Sequence, residues 1–558
     1  MARPDARPNR ADTVSHHLLR RLKGLGAEHL FGIPGDYILP LYEAVEGSGV
    51  THVATCNELN AGYAADGYAR LRGLGAVAVT YGPGSLSVVN AAAGALAEGV
   101  PLLIISGGPA LHAYVSQPVM HHLLPGRFDA SLKVFEQVTA HARILDDPES
   151  AAADIDAGLK VCLEQRKPVY LEIPQDVQAH PCGTLPDRPF PRGMQSDPEA
   201  LELAVSRVAD RLAHGGRAVI LPGHEVQHAQ IEPAVTRLLS RTGLRAASVF
   251  SGKADFLEQH RCCIGAYQGA GSLPEVRKFV ESAETVVFLG CVPSDFNLGG
   301  FTAELPRDGL VHVLDNAVVA GNERFVPVAI KDFVEALTSA LTDKVADPES
   351  APTQAFSHRA TDAYEPVHGA AMTNKRLYDR MAHFLRYGDV VLADAGCAIN
   401  ATQVQLPEGV RYIASGYWAS IGMGFGAALG AGFAAGRGQR VIALEGDGSF
   451  QMTAQELSSM VRYGHPTIVF VVNNKGYTAE RLIHDGPFND IADWRYHLLP
   501  VAFGGVQGED VHTEGDLERA LSRAAVHAGP GPLVVEVHID PWDASEAFRL
   551  MSVALRSR

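Results

Sequence analysis

Residues 440–477 read RVIALEGDGSFQMTAQELSSMVRYGHPTIVFVVNNKGY, and their patterning decides the architecture. An apolar run over 440–444 has the length of a buried strand and breaks into Glu445-Gly446-Asp447-Gly448-Ser449. A helical pattern follows over 451–463, and a second apolar run, 467–472, ends in Asn473-Asn474-Lys475-Gly476. Strand, helix, strand in this order is the unit of a parallel sheet covered by helices. Asp447 and Asn474, 27 positions apart, then sit at the carboxyl ends of two successive strands, where open α/β sheets bind ligands. A carboxylate, a side-chain amide and a turn carbonyl are hard oxygen ligands for Mg²⁺ or Ca²⁺, with diphosphate oxygens completing an octahedron. Gly446 and Gly448 permit close backbone approach to a phosphate, and a helix starting after Ser449 adds free amides and its dipole.

The same alternation runs outward through the chain. Buried strands are expected near 29–33, 52–55, 76–80, 102–105 and 169–172, then near 218–221, 285–289 and 310–314, and again at 390–393 and 533–538. An opening helix over 13–25 buries Val14, Leu18, Leu19, Leu22 and Leu25 and stops at Gly26. Two long polar segments, 183–199 and 343–370, interrupt the pattern. The reading is α/β, with three doubly wound parallel-sheet domains over residues 1–185, 200–342 and 371–558.

Composition narrows the function classes. The 558 residues are 46% hydrophobic and 20% charged, enough to bury several cores. Lys and Arg number 47 against 63 Asp and Glu, and the net charge of −16 argues against nucleic acid or an anionic membrane as partner. Seven cysteines, at 56, 162, 182, 262, 263, 291 and 397, contain no C-x-x-C pair, so neither zinc nor a disulfide framework is indicated. Residues 1–12 lack the apolar core of a signal peptide, and the Gly/Ala-rich stretch 421–436 is too short to span a bilayer. A reduced, cytoplasmic location is expected. A dinucleotide fingerprint at Gly424-x-Gly426-x-x-x-Gly430 follows no strand and is rejected.

The Gly-Asp-Gly and Asn-Asn pair resembles the cofactor motif of thiamine diphosphate-dependent decarboxylases and synthases. A single Gly-Asp-Gly would be an ordinary turn, but both parts at this spacing after two strands are specific. The resemblance implies thiamine diphosphate and Mg²⁺, with Asp447, the Asn474 side chain and the Gly476 carbonyl as metal ligands. Residues 56–70, CNELNAGYAADGYAR, look like the block in which this family's catalytic glutamate hydrogen-bonds the cofactor pyrimidine, which makes Glu58 that residue. Phe31-Gly32-Ile33-Pro34-Gly35-Asp36, Met120-His121-His122-Leu123 and the acid-bearing stretch from Gly476 to Pro487 resemble the pyruvate, indolepyruvate and phenylpyruvate decarboxylase branch. Ser251-Gly252-Lys253 and Ser294-Asp295-Phe296-Asn297 agree with that branch. Asp36, His121, His122 and Glu480 are then the proton relay. Ile421 is the wedge beneath the cofactor, the Ala419 carbonyl receives the pyrimidine amine, and Gly446, Gly448, Ser449 and Cys397 flank the cofactor. The family builds its site across two subunits, so a homodimer is the minimum and a homotetramer is expected.

Three departures bear on the reaction. Gly82-Pro83-Gly84-Ser85 lacks the acidic residue usual in decarboxylases and is closer to acetohydroxyacid synthases. Cys397 replaces a Thr, Ser or Asp, and Ala395 replaces a larger neighbour. Ala479, before Glu480, replaces a bulky aliphatic residue and enlarges the substrate pocket together with Ala395. The expected reaction is non-oxidative decarboxylation of a bulky aliphatic or aromatic 2-oxo acid to aldehyde and CO₂. The alternative is carboligation to acyloins or acetohydroxyacids, which the roomy pocket favours and an efficient proton source at the paired histidines opposes. A non-catalytic cofactor-binding protein is disfavoured because Glu58, Asp447, Asn474 and Glu480 are all present.

Overall fold

The computed structural model describes residues 12–182, 189–190, 193–214, 216–341 and 351–556. The chain forms two compact units, residues 1–192 and 193–558. The first holds strands β1 (His29–Gly32), β2 (Thr51–Ala54), β3 (Gly75–Val79), β4 (Leu102–Gly108), β5 (His141–Ile144) and β6 (Val169–Pro174), all parallel in the order β2-β1-β3-β4-β6-β5. The interior strands β3, β4 and β6 are buried along their whole length, as expected for strands covered on both faces. The opening helix runs Val14–Gly24, capped by the Thr13 hydroxyl. It buries Val14, Leu18, Leu19 and Leu22 in the core, with Leu25 packed at the rim.

The second unit carries two sheets. One has the order β13-β12-β11-β10-β7-β8-β9, from β7 (Ala218–Pro222), β8 (Arg245–Ser248), β9 (Cys263–Ala266), β10 (Thr285–Leu289), β11 (Leu310–Leu314), β12 (Ala317–Ala320) and β13 (Glu323–Phe325). It is parallel except at its edge, where β11, β12 and β13 form an antiparallel meander through tight turns. The other contains β14 (Val390–Ala393), β15 (Arg411–Ala414), β16 (Val441–Gly446), β17 (Ile468–Asn473), β18 (Glu509–Val511) and β19 (Leu533–His538), all parallel in the order β15-β14-β16-β17-β19-β18. The chain leaves β14 toward one edge and returns on the other side as β16, so a topological switch point lies between their carboxyl ends.

Three details differ from the sequence reading. The helix after β16 begins at Asp447 rather than after Ser449, because Gly446 already adopts the extended N-cap conformation. The run 451–463 is two helices, Asp447–Thr453 and Glu456–Tyr463. Residues 198–199, read as part of a break, open the helix Pro198–His214, while 183–188, 191–192 and 342–350 lie outside the described residues. The Gly424-to-Gly430 pattern sits inside the buried helix Met423–Ala434, not at a strand-to-helix turn. Among the described residues, no helix is long and apolar enough to cross a membrane.

Candidate active site

In the first unit, Asp36, Glu58 and the Gly82-Pro83-Gly84-Ser85 loop follow the carboxyl ends of β1, β2 and β3. Asn57 caps the helix Glu58–Arg72 by accepting the Asn60 N–H (2.8 Å), which places Glu58 at its first position. His121 Nε2 lies 2.8 Å from Asp36 Oδ2, and its ring stacks on Tyr37 at 5.1 Å. His122 packs edge-on against His121 at 4.7 Å, with its backbone in the left-handed region at φ 65°. The glycine loop joins these groups. Gly82 has φ 69°, and a Cβ there would overlap the His122 carbonyl, while one on Gly84 would lie 3.6 Å from Glu58 Oε1. All four acid–base residues picked in this unit therefore gather around one loop. Strain of the His122 kind persists where surroundings over-determine it, commonly at functional sites.

In the second unit a cavity of about 280 Å³ opens at the carboxyl ends of β14, β16 and β17. Every residue singled out between Ala395 and Glu480 lines it. Ala395 and Cys397 come from the helix Ala395–Ala401 after β14, and Gly446, Asp447, Gly448 and Ser449 from the end of β16 and the helix it enters. Asn474 and Gly476 follow β17, Ala479 and Glu480 belong to the helix Thr478–Ile483, and Ala419 and Ile421 precede the helix Met423–Ala434. Ala419 holds φ 54°, its N–H donating to Ser415 Oγ at 2.8 Å.

Asp447 is 1% exposed and accepts the N–H of Gly448 (2.7 Å) and of Gly476 (3.1 Å). Burial nevertheless pushes its carboxyl up to about 6. Beside it, one end of the Asn474 amide lies 2.8 Å from Gly476 O and 3.2 Å from Asp447 Oδ1, and the other 2.9 Å from Thr478 Oγ1. The NH₂ end donates to Gly476 O and Asp447 Oδ1, and the oxygen faces the Thr478 hydroxyl, which also reaches Pro541 O at 2.8 Å. A half-turn of the amide would present its oxygen to Asp447 and Gly476 instead. Asp447, the turned Asn474 amide and the Gly476 carbonyl would then offer three oxygens, a hard-oxygen set that fits a divalent cation, whose octahedral bonds of about 2.1 Å hold adjacent oxygens about 2.9 Å apart.

Three supporting residues were not singled out in the sequence. Asp394, 2% exposed, accepts the N–H of Ala395 (2.8 Å), Gly422 (2.9 Å) and Gly424 (3.0 Å), tying β14 to the turn after Ile421. Its burial raises its carboxyl to about 6. Arg481 donates to the carbonyls of Asn474 (3.2 Å) and Lys475 (2.6 Å) and to Asp490, clamping the oxygen loop. Glu445 is fully buried with neither carboxylate oxygen bonded among the described residues, and burial with the nearby Asp394 charge raises it strongly. Asp394 was legible in principle, as an acid directly after an apolar strand. The Arg481 and Glu445 environments arise only in three dimensions.

Comparison with known proteins gives the same frame. Profiles described as the N-terminal TPP binding, central and C-terminal TPP binding domains of thiamine pyrophosphate enzymes match residues 12–131, 205–341 and 394–537. Pyruvate decarboxylase 1 of Oryza sativa subsp. indica is 35% identical over 527 residues, covering 92% of this chain and 86% of the rice protein. Pyruvate decarboxylase 2 of Arabidopsis thaliana is 34% identical over 549 residues, covering 96% and 89%. The Rhodococcus jostii RHA1 thiamine diphosphate-dependent 4-hydroxybenzoylformate decarboxylase superposes with a TM-score of 0.77 at 20% identity, over 95% of this chain and 99% of that one, a likeness of fold. The motif residues of the second unit converge on one cavity, and the matches span nearly the whole length: the chain belongs to the thiamine diphosphate-dependent 2-oxo acid decarboxylase family and is a carboxy-lyase of that type.

Proposed function

We propose that this chain removes CO₂ from bulky aliphatic or aromatic 2-oxo acids and, with uptake of one proton, releases the aldehyde, using thiamine diphosphate held by Mg²⁺. The observation that carries the reading is the character of the cavity. Besides the oxygens of Asp447, Asn474 and Gly476 it is lined by Phe296, Ala479, Ile483, Phe548, Met551 and Leu555, apolar side chains suited to a hydrophobic substrate group. At its edge Ala479 contributes a single methyl group.

Asp447, Asn474 and Gly476 would hold the cation, with Gly446, Gly448, Ser449 and Cys397 on the diphosphate side. Glu58 would hydrogen-bond the pyrimidine, the Ala419 carbonyl would accept its amine, and Ile421 would support the rings from below. When bound, thiamine diphosphate supplies the electron sink that makes loss of CO₂ possible. The chain's own task is proton management. Asp36 orients His121, and His121, His122 and Glu480 would be the acid–base groups that deliver the product's proton. A homodimer at least, with a homotetramer expected, and a cytoplasmic location complete the proposal.

Carboligation is the second reading, favoured by the Gly82-Pro83-Gly84-Ser85 loop, which brings no acid beside Glu58. Product analysis by mass spectrometry separates the two, using purified protein, thiamine diphosphate, Mg²⁺ and a mixture of pyruvate, branched-chain and aromatic 2-oxo acids. Free aldehydes dominated by the bulky acids support the proposal. Hydroxyketones with little free aldehyde replace it with carboligation, and acetaldehyde dominating would overturn the size preference.

A further inference from the structure

Glu509-Asp510-Val511-His512 and Val535-Glu536-Val537-His538 repeat one alternation on the neighbouring parallel strands β18 and β19. Register pairs Asp510 with Glu536 and Val511 with Val537. Side chains alternate between faces along a strand. Val511 and Val537 are accordingly both fully buried, and Asp510, His512, Glu536 and His538 share the opposite face. The short turn Tyr496–Leu498 adds His497 to the same patch.

The polar atoms converge. Asp510 Oδ1 lies 2.8 Å from His538 Nε2 and 3.2 Å from His512 Nε2, and the two rings stack at 4.0 Å. Behind them Glu536, 1% exposed, sits with Oε1 3.5 Å from His538 Nε2 and Oε2 2.6 Å from His497 Nδ1. Glu536 is itself fixed by the Asn473 amide (2.7 Å) and the His497 backbone N–H (3.1 Å). A tetrahedral Zn²⁺ with bonds of about 2.0–2.1 Å holds its ligand atoms about 3.4 Å apart, so admitting one requires the parallel His512 and His538 rings to turn until both lone pairs aim at one point.

We propose that Asp510, His512 and His538 form a binding site for a divalent transition-metal ion of the Zn²⁺ class, with a fourth position open to water. Two imidazoles and one carboxylate are borderline donors that select such ions over Mg²⁺. Glu536, held by Asn473 and His497, backs the cluster from its buried side. The all-oxygen group at Asp447, Asn474 and Gly476 has the opposite preference, so the two sites take different ions. Asn473, beside Asn474, reaches from that loop to Glu536 and so connects them.

The test uses the full chain, stripped with chelator and then saturated with Mg²⁺ and thiamine diphosphate. Zn²⁺ is titrated by calorimetry into this chain and into His512→Ala, His538→Ala and His121→Ala, the last breaking the histidine–aspartate pair with Asp36 in the first unit. One Zn²⁺ per chain is expected, with affinity at least tenfold weaker in each of the first two variants and unchanged in the third. His512 is exposed, so its variant folds, and the melting midpoint without Zn²⁺ checks this. Absence of binding by the unaltered chain, an affinity in His512→Ala or His538→Ala equal to the unaltered chain's, or loss in His121→Ala overturns the site.

Discussion

Replacing Asp447 by Asn tests whether its carboxylate awaits a cation. Burial raises this group from 3.8 to about 6, so ionising it in the folded, metal-free chain costs about 3 kcal/mol at pH 8. The sign follows from the direction: a raised folded value stabilises below the unfolded value, and the benefit is lost as pH rises through 6. Asn removes the charge but keeps only one acceptor for the Gly448 and Gly476 amides, which gives back about 1 kcal/mol. In chelator at pH 8 the variant should therefore be more stable than the parent by about 2 kcal/mol, a midpoint rise of roughly 4–8 °C for a 150–250-residue cooperative unit. At pH 5 the penalty is about half as large, and the advantage shrinks toward zero. Added Mg²⁺ and thiamine diphosphate should reverse the order, because only the parent gains from the cation. Thermal melts at both pH values, with chelator and with cofactors, measure all four numbers. A variant less stable than the parent in chelator at pH 8, or one stabilised equally by the cofactors, would refute the reasoning.

Three further outcomes are expected. Burial raises Glu172 to about 7 against hydrogen bonds from Tyr114 and Tyr170 (both 2.7 Å), so its stabilisation is present below 4.5 and lost as pH rises through 7, about 3 kcal/mol in all. Glu172→Gln should flatten the midpoint between pH 5 and 9 relative to the parent, and parallel profiles would dismiss the assignment. Ala479→Ile adds three carbons to the cavity wall and should lower kcat/KM for phenylpyruvate relative to pyruvate by about tenfold or more, whereas an unchanged ratio would remove Ala479 from specificity. Gly82→Ala puts a Cβ into the His122 carbonyl at φ 69° and should cost more than about 1 kcal/mol together with much of the turnover. A variant that melts and turns over like the parent would separate this loop from the histidine pair.

The oxygen-bearing loop was legible because its chemistry is local. Two apolar runs, each ending in a small polar cluster, place Asp447 and Asn474 with only the strand–helix–strand rule added. The strands that escaped notice, β5, β8, β9, β12, β13, β15 and β18, are three or four residues each and lie at or near sheet edges, too short to stand out as apolar runs. Arg411–Ala414, with Arg411 paired to Glu232 at 2.9 Å, shows the problem: its stability comes from a neighbour far along the chain. The same holds for Asp394, whose three backbone donors come from two separate segments. The gathering of Asp36, Glu58 and His121 around Gly82 could be expected only from resemblance, because no spacing rule joins positions so distant in the chain.

The central claim is that this cavity decarboxylates a 2-oxo acid and hands the product a proton. The direct measurement follows CO₂ and free aldehyde together during turnover of one aromatic 2-oxo acid, with Mg²⁺ and thiamine diphosphate present and then omitted. The account predicts equimolar CO₂ and aldehyde that depend on both cofactors. CO₂ accompanied by hydroxyketone in place of aldehyde, or no CO₂ from any 2-oxo acid, would contradict it.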